Sequence, residues 1–174
     1  MVKLKDITTQ FSVANYSIDC NWRSLESQLN DYYESGLELD PEFQRKHCWS
    51  REEQISYCEY IMRNGMSGRD IFFNHTNWNI GGAGEGSFVL VDGKQRIEAV
   101  RSFMSGLFPV FDGYYISDFD HLRDMTCRFK FNINDIPTER GVLQWYIDLN
   151  DCGVSHTSRE INKVRKMIRK IDNE

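Results

Sequence analysis

Apolar side chains recur along this chain at helical spacing in some stretches and in short alternating or continuous runs in others. Trp22, Leu25, Leu29 and Tyr32 share one face of a helix over about 22–34, which Gly36 stops. An extended stretch, L-E-L-D-P-E-F-Q-R-K-H-C-W, leads to Ser50. Ser50 and Glu53 have capping-box spacing, and Ile55, Cys58, Ile61 and Met62 give the next helix its apolar face. Asn64-Gly65 closes it, Asn and Gly being the residues that tolerate a left-handed C-terminal position.

Ile71-Phe72-Phe73 and Ser87-Phe88-Val89-Leu90-Val91 read as strands. The N-I-G-G-A-G-E-G between them is a hairpin tip, not a phosphate loop, because it leads into a strand where a phosphate loop needs a helix N-terminus. A helix follows from about Lys94 to Ser105, stopped by Gly106. Residues 108–119 are aromatic and turn-rich with weak strand character. Arg128 to Ile133 alternates as a strand, and Pro137 suits the first turn of a helix through about Leu149. Thr157 and Glu160 form a second capping box for a basic last helix, and the first ten residues read as an edge strand or ordered arm. These elements predict a mixed α/β fold, a small sheet with four or five helices. One domain is expected over 1–160, with a basic C-terminal helix over 158–174 packed on it or extending from it.

Composition narrows the function. At 174 residues, 40% hydrophobic and 13% aromatic, the chain can bury a proper core and is not expected to be disordered over long stretches. A net charge of −5 argues against a non-specific DNA coat protein, so nucleic acid would need a local basic patch. Such a patch is offered by Arg159, Lys163, Arg165, Lys166, Arg169 and Lys170, whose spacing spreads charge around the last helix; a solvated surface explains the same residues. Five widely spaced cysteines without a C-x-x-C, no signal-peptide core and no membrane-length apolar segment predict reduced thiols in a cytoplasmic setting. Cys and His never cluster at zinc-ligand spacing.

The chemistry gathers in Asp92-Gly93-Lys94-Gln95-Arg96. If Asp92 ends a strand and caps the helix, the amides of residues 94–96 point outward at the positive end of the helix dipole. Lys94 and Arg96 there build an anion site, Arg96 as a bidentate fork for phosphate oxygens, and Gly93 lets a ligand approach the main chain. Asp92 could instead hold a divalent metal. The alternative is a capped helix with solvated basic residues, although bases in a first turn oppose the dipole. A second cluster, Glu42-Phe43-Gln44-Arg45-Lys46-His47-Cys48-Trp49, again pairs Gln with Arg beside aromatics, Trp49 reading as core. A third, Asn150-Asp151-Cys152-Gly153, is locally a helix stop.

In order and spacing, P-E-F-Q-R-x-x-x-W, V-D-G-K-Q-R-I-E-A and Y-I-D-L-N-D-C-G-V-S-H-T-S-R-E-I resemble the N-terminal domain of GmrSD-type modification-dependent restriction enzymes, in the ParB/sulfiredoxin-like superfamily. The match covers about residues 38–162. The resemblance implies a small α/β domain that handles a nucleoside triphosphate, often with Mg2+, in DNA restriction or phage–host conflict. Asp92, Gly93, Gln95 and Arg96 stand where that family has D, G, Q and R; Gln44 and Arg45 match its Q-R, and Asn150 and Gly153 its N-x-x-G corner. On a reading as an NTP phosphohydrolase, the catalytic candidates are Asp92, Gln95, Arg96 and Glu42, with Asp92 or Glu42 meeting a metal or the attacking water. Nucleotide binding then falls to Gln44, Arg45, Gly93, Lys94, Arg96 and Asn150. Lys94 replaces the usual Gln, adding charge, so phosphate binding is expected to survive while the departure bears on hydrolysis. Sulfiredoxins carry a reactive Cys at that position, so sulfinate reduction is not expected. No H-N-H nuclease motif is present, as in short free-standing versions expected of bacteriophages. A DNA-nicking protein, or an inactive protein that regulates a host defence complex, remains open beside the nucleotide reading.

Overall fold

The computed structural model describes residues 16–44, 48–76, 87–120, 126–151 and 158–173. The expected N-terminal arm, the glycine-rich tip, Arg45, Gly153 and Thr157 lie outside the described residues. Element order is β1 (Tyr16–Asn21), α1 (Leu25–Glu34), β2 (Leu37–Glu38), α2 (Arg51–Met62), β3 (Asp70–His75), β4 (Phe88–Asp92), α3 (Lys94–Met104), β5 (Arg128–Asn134), α4 (Glu139–Asp151) and α5 (Ser158–Ile171), with 3-10 turns at Trp22–Ser24 and Ile116–Asp118. The mixed α/β expectation holds.

The strands form one mixed sheet in the order β1-β5-β3-β4-β2. β1 pairs antiparallel with β5, β5 parallel with β3, β3 antiparallel with β4, and β2 parallel with β4. Side chains alternate across it. Ile71, Phe73, Phe88, Leu90, Phe129, Phe131 and Ile133 face the core shared with Leu25, Leu29, Cys58, Ile61, Ile97 and Phe103 of α1–α3. Val89 and Val91 face a second core with Val142, Leu143, Tyr146 of α4 and Ile161, Val164, Ile168 of α5. β4 is covered on both faces, which is why its sequence is continuously apolar.

Several local expectations are refined. The helix read from residue 22 begins as a 3-10 turn, capped by the Asn21 side chain on Arg23 N, before α1 proper starts at Leu25. The Ser50–Glu53 capping box is present in both directions. α2 ends with Asn64 in the left-handed region at φ 63°, while Gly65 N donates to Tyr60 O at 2.9 Å. α4 starts at Glu139, two residues after Pro137, with Thr138 Oγ1 accepting from Gly141 N. In α5, Ile161, Val164 and Ile168 are buried while Lys163, Arg165, Lys166 and Arg169 share an outward groove. Four of the basic residues of α5 therefore line one outward groove. Among the described residues no helix is long and apolar enough to cross a membrane.

Candidate functional site

β4 delivers its last residue, Asp92, to the edge of a cleft of about 380 Å3, and α3 starts there. The cleft is lined by Gln44 and Trp49 from the segment before α2, Tyr57 and Tyr60 from α2, residues 92–96, and Leu149 and Asn150 from the end of α4. Three segments separated by about fifty residues each thus meet at one place. They are the three the sequence singled out.

Asp92 does not cap α3. The N-cap is Gly93, at φ 115°, and the first intrahelical bond runs from Ile97 N to Gly93 O. The helix opens one residue later than an aspartate cap would require. Its early amides still lack intrahelical acceptors, as at every helix start. A Cβ on Gly93 would fall 2.5 Å from Ile71 Cδ1 of β3. The glycine therefore serves the turn and close strand–helix packing, which is a different reason from ligand approach.

The two cations are neither free nor solvated. Arg96 Nη2 donates to Asp92 Oδ2, one turn back, and Lys94 Nζ donates to Asp40 Oδ1. The Lys94 and Arg96 side chains are only 12% and 18% exposed. Among the described residues Asp92 is the one carboxylate on the lining, and no cluster of three His, Cys, Asp or Glu could hold a metal. The Asp92 carboxylate is already held by the Arg96 guanidinium, so a divalent metal would draw its other ligands from phosphate oxygens and water.

The glutamines are clamps. Gln44 Nε2 donates to Leu90 O at 3.0 Å and Val91 O at 2.8 Å, tying the incoming segment to β4. Gln95 is buried, and its Oε1 accepts from Cys48 N at 2.9 Å and Trp49 N at 3.2 Å. Both spend polar atoms on building the cleft wall. Asn150 is buried, with Nδ2 donating to Tyr146 O at 2.6 Å. Glu42 is not brought to the cleft. The chain turns over 41–44, with Gln44 N donating to Pro41 O, so Glu42 faces a separate cavity beside Thr76, Pro137 and Met167, and its backbone carbonyl accepts from Lys163.

Sequence reasoning missed the aromatic side of the cleft. Trp49, read as core, is half-buried and packs on Tyr57 at 5.3 Å between ring centroids. Tyr57 Oη donates to Gly68 O at 2.8 Å; burial raises its hydroxyl pKa well above the usual value, against a smaller lowering by nearby Arg96. Tyr60, one turn on, hydrogen-bonds Ser67, which lowers its pKa. The available signal was Tyr57 and Tyr60 at i, i+3, flanking the buried stripe of Cys58 and Ile61 on α2. A cleft with cations and helix amides at one part and aromatic rings at another can take a ligand that is both anionic and flat. No protein-family model, curated protein or solved structure matches the chain, so its reading rests on this geometry and on the resemblance of the three segments.

Proposed function

We propose that the chain binds a nucleotide in this cleft, phosphates at the start of α3 and base among the aromatic rings, and slowly hydrolyses a nucleoside triphosphate. The observation that carries it is the meeting of Gln44 and Trp49, residues 92–96, and Leu149 and Asn150 around Lys94, Arg96 and the unmatched amides of α3. Arg96 makes one hydrogen bond, to Asp92, among the described residues, leaving further donors of its planar fork for oxygens. The resemblance to the ParB/sulfiredoxin-like domain of GmrSD-type restriction enzymes points the same way.

In hydrolysis, water attacks the terminal phosphorus, the bond to the bridging oxygen breaks, and nucleoside diphosphate and phosphate leave. Arg96 and Lys94 stabilise the charge on the transferring oxygens, and Asp92 is the carboxylate at hand to take the water's proton. Magnesium, on this reading, arrives with the phosphates. The setting that suits the reading is a cytoplasm with a restriction or phage–host role.

The test is thermal stability with each nucleoside triphosphate, with and without Mg2+, for wild type and Arg96→Ala. A ligand at about one hundred times its dissociation constant adds roughly 2.7 kcal/mol. A shift with nucleotide that Arg96→Ala abolishes supports the reading; no shift with any nucleotide sinks it and favours an inactive interaction protein. A second reading, docking on DNA, is favoured by the groove of α5 lined by Lys163, Arg165, Lys166 and Arg169. It predicts DNA binding that weakens steeply with salt.

A further inference from the structure

Tyr60 is 44% exposed, yet its ring is fixed at both ends. The hydroxyl lies 2.7 Å from Ser67 Oγ and accepts from Ser67 N at 3.2 Å. The ring lies against Gly65, where an added Cβ would fall 2.4 Å from Cε1 and 2.5 Å from Cδ1. Gly65 N in turn donates to Tyr60 O, closing α2 beneath the ring. Holding an aromatic side chain in one rotamer costs entropy, and burial returns little of it here. Closing the α2–β3 connection calls for the hydroxyl but not for an exposed ring face. The cleft does, because Tyr60, Ser67 and Gly68 line it together with Arg96 and Lys94.

We infer that Tyr60 is a preformed stacking platform for the ligand's base, held in place by Ser67 and by the missing side chain of Gly65. Trp49 and Tyr57, tilted at 55° to each other, give the same cleft a second aromatic surface. The inference rests on the nucleotide reading above and adds the division of labour: α3 binds phosphate, α2 binds the ring. Because every base offers a π-face, stacking on Tyr60 selects nucleotides over ring-free polyphosphates without choosing strongly among bases.

The experiment measures ATP and inorganic tripolyphosphate binding by calorimetry, on wild type, Tyr60→Ala, Tyr60→Phe, Gly65→Ala and Arg96→Ala, each first checked for an unchanged melting transition. Tyr60→Ala is expected to weaken ATP roughly tenfold and leave tripolyphosphate unaffected. Tyr60→Phe retains the ring and most of the affinity. Gly65→Ala keeps the tyrosine but displaces it, and so weakens ATP selectively; this variant guards against a misfolded Tyr60→Ala. Arg96→Ala weakens both ligands. If Tyr60→Ala and Gly65→Ala bind ATP like wild type while Arg96→Ala does not, the platform is overturned and the phosphate site stands. If wild type binds neither probe, both fall.

Discussion

Asp92 and Arg96 stand one turn apart at the start of α3, and the guanidinium of the second donates to the carboxylate of the first. The cleft thus carries its own counter-ion. An incoming phosphate has to share Arg96 with Asp92 or displace it. Asp92→Asn is therefore expected to tighten metal-free triphosphate binding by up to about fivefold, the scale of a partly exposed ion pair. It should lower turnover, because the proton acceptor is gone. Calorimetry without Mg2+ and a phosphate-release assay check the two halves. If Asp92→Asn loses metal-free binding as fully as Arg96→Ala, the carboxylate is contributing to affinity and this view of the pair is wrong.

Gln44 and Gln95 offer opposite ends of the same group, one donating to carbonyls and one accepting from amides. An orphaned N–H is tolerated less often than an under-used C=O. Gln95→Met is therefore expected to cost about 1–3 kcal/mol, and Gln44→Met less. Gln44→Glu should be worse than Gln44→Met at neutral pH, since it sets a carboxylate against two carbonyl oxygens. That contact raises the folded-state pKa of the new acid, so its stability is recovered as pH falls and lost as pH rises. Denaturant midpoints at pH 4.5 and 7.5 would settle the sign; a Gln44→Glu protein no less stable at the higher pH counts against the clamp.

How far the sequence could be read follows from where the information lies. The β4–α3 junction was legible, because a doubly covered strand is continuously apolar and the following helix starts at a glycine. Which residue caps was not, because Asp92 and Gly93 both suit the position and only the backbone at φ 115° decides. β1 was missed although Tyr16–Asn21 alternates apolar and polar residues: it is a short strand whose partner, β5, lies more than a hundred residues away. Glu42 was grouped with Gln44 as if both lay on an extended strand, where i and i+2 share a face. The Pro41–Gln44 turn breaks that period and sends the two apart. The aromatic wall escaped because tyrosines on a helix surface look like ordinary exposure until a second segment covers them.

Gly93 joins strand to helix under two constraints, a left-handed backbone and the Ile71 side chain 2.5 Å from where a Cβ would sit. Gly93→Ala is expected to cost about 2–4 kcal/mol, part backbone strain and part overpacking. Ile71→Val removes the Cδ1 that clashes, though not the Cγ2 at 3.1 Å or the backbone cost. The double variant should therefore be more stable than the sum of the singles by about 1 kcal/mol. Strict additivity in denaturant unfolding would show that the alanine is accommodated by a backbone shift elsewhere.

Buried thiols and phenols predict an alkaline weakness. Burial pushes the Cys20 and Cys58 thiols up to about 12, and it raises Cys127, Tyr32 and Tyr57 as well. Below pH about 7.5 these groups are protonated in both folded and unfolded chains, and their contribution to stability is complete. Above it the unfolded chain releases thiol protons that the folded chain retains, so stability falls progressively between about pH 8 and 12. Cys58→Val should flatten part of that slope while filling a position that is fully buried among apolar neighbours. Cys48 is exposed, unlike Cys20, Cys58 and Cys127. Iodoacetamide on the native protein at pH 8 should therefore alkylate Cys48 while those three stay protected until denaturant is added, which peptide mass spectrometry reads directly. Equal labelling of Cys48 and Cys58 in the folded protein would mean that the core between α2 and α3 opens far more readily than its packing predicts.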